Sequence, residues 1–132
     1  MDWLQIIADA ENVPYRLGEH DCLNVACAVV QARTGIDYWP QFAGYKTKRQ
    51  ALVTIARIAP TLRGAVSKVL STPELPPRMA QRGDLVLYRD TDEHIGICLG
   101  RDVAVLGADG LQRISIMSDA LVAAWRVKCP PQ

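Results

Sequence analysis

The sequence predicts an α+β fold, with N-terminal helices packed on a C-terminal antiparallel β-sheet. Two observations carry that expectation. Up to about residue 70 the apolar residues recur at helical spacing, whereas from Asp84 onward they alternate in short runs broken by glycine turns. The change falls at residues 71–81, a stretch holding three prolines. Helices first and strands second is the α+β order, not the strand–helix alternation of a parallel sheet. At 132 residues the chain reads as one domain, 1–132, large enough to bury a core without metal or disulfide staples.

Asp2 can cap a first helix over residues 3–12, with Trp3, Leu4, Ile6, Ile7 and Ala10 as its apolar stripe. Asn12-Val13-Pro14 stops it, because the residue before a proline leaves the α region. A loop with Gly18 follows, and a second helix is expected from about Asp21 to Arg33, ended by Thr34-Gly35. Residues 36–45 form a loop holding Tyr38, Trp39, Phe42 and Tyr45, surfaces that suit either a protein interface or loop packing. Thr47 and Gln50 have capping-box spacing for a third helix, whose buried face should be Ala51, Leu52, Ile55, Ala56, Ile58 and Ala59 before Pro60. A weaker helix over 61–70 contains Gly64.

The strands are expected at 84–88, 94–99, 103–106, 112–117 and 123–127, with turns at Gly100-Arg101-Asp102 and Asp109-Gly110. Ser118 is placed to cap a single helical turn. Period-two alternation puts His94, Gly96 and Cys98 on one face of a strand and Ile95, Ile97 and Leu99 on the other.

The totals exclude several classes of function. Hydrophobic residues at 49% and charged residues at 22% fit a globular chain rather than a disordered one. A net charge of +1 gives no field directed at nucleic acid or an anionic membrane. No apolar run approaches the ~20 residues of a membrane span, and the first residues do not form a secretion signal. The cysteines at 22, 27, 98 and 129 form no CxxC and no Cys/His pair at zinc spacing, so no metal and no cofactor is expected. Reduced thiols are expected in the cytosol where the chain is made; in an exported protein the same cysteines could form disulfides.

Chemistry concentrates in two stretches. In Pro14 to Asn24 a tyrosine, Tyr15, precedes Cys22 by seven residues, and Cys22 falls at a helix start. There the unpaired N–H groups and the helix dipole favour a thiolate; a small buried hydrophobe is the plainer use of a cysteine. In Asp92 to Cys98, His94 has Gly96 beside it on the same strand face, leaving room for another group near the imidazole. His20 suits a hydrogen bond within its own loop or a place near the thiol. Cys27 reads as core, and Cys129 as an exposed or frayed end.

Taken together, Pro14-Tyr15, Leu17-Gly18, Asp21-Cys22, then Arg82-Gly83-Asp84-Leu85-Val86, then His94-Ile95-Gly96-Ile97-Cys98-Leu99-Gly100 resemble the landmarks of the NlpC/P60-type papain-like cysteine peptidases. The chain is more similar still to small phage and prophage proteins of unassigned function related to that fold, which occur among tail-assembly genes. The resemblance implies Cys22 as nucleophile, His94 as general base and Tyr15 as an oxyanion donor with the Cys22 N–H. Asp21 would then shape the substrate pocket, and His20 and Trp39, read from their own positions, are further candidates for substrate binding. It also implies other phage tail proteins as partners, peptidoglycan peptides as the substrate of an active member, and residence in the virion. Where that family carries a polar residue to orient the histidine, this chain reads Val103-Ala104-Val105-Leu106-Gly107-Ala108. Two functions follow: a tail-assembly or tail-tip component that keeps the fold, or a cysteine hydrolase of cell-wall peptide bonds.

Overall fold

The computed structural model describes residues 2–128, so Cys129 lies outside the described residues. It is α+β, with helices α1 (Trp3–Ala10), α2 (Cys22–Thr34), α3 (Lys48–Ile58) and α4 (Leu62–Leu70). The strands are β1 (Glu74–Leu75), β2 (Leu85–Arg89), β3 (Glu93–Cys98), β4 (Asp102–Gly107), β5 (Gly110–Ser115) and β6 (Leu121–Trp125). They form one sheet in the order β1-β6-β2-β3-β4-β5, antiparallel at every pairing. No described helix is long and apolar enough to cross a membrane.

The caps act where residue types put them. Asp2 accepts from the Leu4 N–H, Thr47 from Gln50, and Thr61 from Gly64. Gln50 Oε1 accepts the return bond from the Lys46 N–H rather than from that of Thr47. Gly35 closes α2 in the left-handed conformation at φ 81°. β1 escaped the sequence pattern because two residues between prolines are too few to show a period. Ser118 holds a turn through Ala120 N–H rather than a helix.

The sheet is buried on both faces. Ile95, Ile97, Leu85, Leu87 and Trp125 pack with α1 and α2 residues such as Ile7, Ala10, Val25 and Val29. On the opposite face Val86, Cys98, Val103, Val105 and Ala124 form a second cluster. Gly96 is required there: a Cβ would sit 2.7 Å from the Ala104 carbonyl oxygen and from a Val103 methyl. Gly83-Asp84 serves the fold in a different way. Asp84, 1% exposed, accepts from the N–H groups of Gln81 and Val127 and from Arg126 Nε at 2.8 Å.

One expectation fails in α3. No residue of the helix is buried, and Leu52 and Val53 are 59% and 46% exposed. Ala59 lies beyond its end, in extended conformation. Helical spacing identifies an apolar stripe, but it cannot say whether anything covers it.

Candidate functional site at Cys22

Asp21 is the N-cap of α2, which makes Cys22 its first residue. Asp21 Oδ1 accepts from the N–H groups of Leu23 and Asn24, and Asn24 Oδ1 accepts in return from the Asp21 N–H. Asp21 Oδ2 accepts from the Gly18 N–H at 2.8 Å and from the Tyr45 hydroxyl at 2.5 Å. Asp21 is 2% exposed. It is therefore a buried carboxylate fully used in holding the loop 18–24 and the Tyr45 segment together, rather than a group free to meet a ligand.

Cys22 is partly buried and carries a free thiol, as do the buried Cys27 and Cys98. Burial pushes the Cys22 thiol up to about 12, and the nearby Asp21 carboxylate adds to that. The N–H groups of Ile95, Cys22 and Leu23 face the sulfur and pull the other way without prevailing. The helix start therefore presents the expected donors, but desolvation decides the protonation state. Ile95 lies two residues before the Ile97↔Ala104 and Cys98↔Val103 pairs that join β3 to β4.

A cavity of about 570 Å³ opens over the sulfur. Tyr15, Asp21, Cys22, Tyr45 and Ile95 line it, together with Leu52 and Ile55 of α3 and residues 91–94 of the β2–β3 hairpin. Tyr15, Cys22 and His94 are all among the residues that line it. Burial, and then the Asp21 carboxylate, raise the Tyr15 hydroxyl above its ordinary value. At neutral pH it is a hydrogen-bond donor facing the cavity.

His94 has other partners. Its ring lies 5.9 Å from that of Tyr88, its cross-strand partner, and its Nε2 is 3.4 Å from Asp90 Oδ1. By strand alternation it falls in the register of Gly96 and Cys98, at the start of β3 where the hairpin meets the cavity. The carboxylate that orients it comes from the hairpin before β3, not from the strand after it. Asp90 is held well placed for this, since it also accepts from the Asp92 N–H, a bond that lowers its carboxyl below the ordinary range. Asp90 and Tyr45 are the site residues that sequence reasoning missed. An Asp four residues before a His, across a tight turn, was the available signal for the first.

His20 and Trp39 lie elsewhere. Both line a separate groove of about 430 Å³ against α1 and the outer side of α2. His20 Nε2 is 3.5 Å from the Ala10 carbonyl oxygen, and its backbone bridges Arg16, so its role is within the loop. Trp39 packs edge-on against Tyr45, with ring centroids 5.9 Å apart. Phe42 and Tyr45 are 3% and 5% exposed, so the aromatic loop is largely core.

No curated protein matches this sequence. Residues 2–127, nearly all of the structure described above, match the family described as "Domain of unknown function (DUF6950)", and the chain belongs to that family.

Proposed function

We propose that this chain is a phage or prophage tail-assembly or tail-tip component, an NlpC/P60-like domain that uses the Cys22 cleft to bind a partner rather than to cut one. One observation carries this choice over catalysis. The His94 imidazole is engaged by Asp90 and Tyr88, while the Cys22 thiol sits among backbone N–H groups and burial keeps it protonated at neutral pH. A cysteine nucleophile needs the reverse, a thiolate with its base beside it. Support for the NlpC/P60-like type comes from the order of Tyr15, Asp21-Cys22, Gly83-Asp84-Leu85-Val86 and His94-Ile95-Gly96, and an α+β architecture is compatible with it. The tail assignment rests on the likeness to phage proteins alone.

The test is a phage carrying Cys22→Ser beside one carrying Leu52→Asp, an exposed position on the cleft wall. Normal infectivity for Cys22→Ser and lost incorporation for Leu52→Asp are expected. Lost infectivity from a folded, incorporated Cys22→Ser protein would overturn the proposal.

The second reading is a cysteine hydrolase of peptidoglycan peptides. Tyr15, Cys22 and His94 all line one cavity, and Asp90 Oδ1 lies 3.4 Å from His94 Nε2, which favours it. Release of peptides from cell-wall fragments by the wild type but not by Cys22→Ser would establish it.

A further inference from the structure

Helix α3 has an unusual attachment. Ala51 and Ile58 rest against the small cluster of Leu23, Cys27, Phe42 and Tyr45, and no residue of the helix is itself buried. Its remaining apolar stripe, Leu52 and Ile55, faces the cavity above Cys22. Across the cavity stands the β2–β3 hairpin. The two walls are tied by Lys48 Nζ to Asp92 Oδ1 at 2.7 Å, an ion pair with both side chains well exposed. Before α3 the chain passes through Gly44 at φ 109°, with open space around its α-carbon, and after it through extended Ala59 and Pro60. The end of α3 is held to α4, where Lys68 Nζ donates to the Ile58 carbonyl at 3.2 Å. The helix is therefore free to swing mainly at its Gly44 end, and an element with no buried residue moves at low cost.

We propose that α3 is a lid over Cys22 and that the Lys48–Asp92 pair is its latch. It rests on the Cys22 cleft being the ligand site. Closed, the lid narrows access to the thiol; open, it widens the cleft so that Tyr15 and the sulfur join Leu52 and Ile55 as one accessible binding surface. Because the latch is a surface ion pair, salt and a competing charge on a ligand both loosen it.

The experiment measures alkylation of Cys22 by iodoacetamide in the full chain, resolved from Cys27 and Cys98 by peptide mass. Lys48→Ala separates the lid from simple electrostatics, because the two predict opposite signs. Removing a positive charge near the thiol disfavours the thiolate and slows labelling, whereas opening the lid speeds it. The expected result is labelling about two- to five-fold faster at Cys22, the range an exposed ion pair supports, with Cys27 and Cys98 unchanged. Added salt should speed the wild type and leave Lys48→Ala unaffected, and the exchanged pair Lys48→Asp with Asp92→Lys should restore the slow rate. Unchanged or slower labelling in Lys48→Ala overturns the proposal. So does an equal rise at Cys27, which would mean a loosened fold. These rates are read in purified protein, so a failed latch leaves the infectivity result standing, and the reverse holds.

Discussion

The Tyr45 hydroxyl donates to the buried Asp21 carboxylate at 2.5 Å, joining residues 24 apart in the chain directly beside Cys22. That bond ties the aromatic segment to the start of α2. Tyr45→Phe keeps the ring and removes one of four donors to the carboxylate. A loss of about 1.5–3 kcal/mol is expected for a bond to a charged group, seen as a lower denaturation midpoint in urea.

Gly18 belongs to the same junction. Its φ is +83°, and a Cβ would lie 2.1 Å from the Tyr45 carbonyl oxygen. Gly18→Ala therefore combines backbone strain with a backbone clash that no rotamer relieves. It should cost at least about 3 kcal/mol, more than Tyr45→Phe, in the same urea titration.

Alkaline stability follows from the thiols. Burial raises Cys22 and Cys27 to about 12 from an ordinary 9.0. Below pH 9 both folded and unfolded thiols are protonated, and the contribution is complete. Between 9 and 12 the unfolded chain releases these protons more readily, so stability falls as pH rises. Thermal melts across that window should show a falling midpoint, with a shallower decline in Cys27→Ala.

Asp84 should be the most sensitive acidic position. Asp84→Ala leaves Arg126 and the N–H groups of Gln81 and Val127 without their acceptor beneath a buried strand start. Loss of about 3–5 kcal/mol is expected, enough to show as poor yield of folded protein. Arg126→Met, which removes the charge and keeps the length, should be milder.

Much of the fold was legible because it depends on local rules. Asp2, Thr47 and Thr61 cap helices through bonds spanning two or three residues, and Gly35 ends α2 for a reason contained in its own backbone. The alternation in β3 was equally local. What sequence could not reveal was tertiary. Tyr45 meets Asp21 only after α2 and the aromatic segment have packed. Asp90 meets His94 only because the hairpin closes with Arg89 opposite Glu93. Spacing puts Leu52 in the core because it reports an apolar stripe and not its cover, and Leu52 is exposed. The same gap explains Cys22, whose place at a helix start suggested a thiolate while its burial decides for the thiol.

The most direct measurement of the account is the pH dependence of Cys22 alkylation in the intact protein. A buried thiol beside Asp21 predicts a rate that still climbs at pH 10 with no plateau near neutrality. Asp21→Asn, which keeps a capping side chain and removes the charge, should move that profile to lower pH. A plateau with its midpoint at or below pH 7 in the wild type would contradict the account and show Cys22 to be an activated nucleophile.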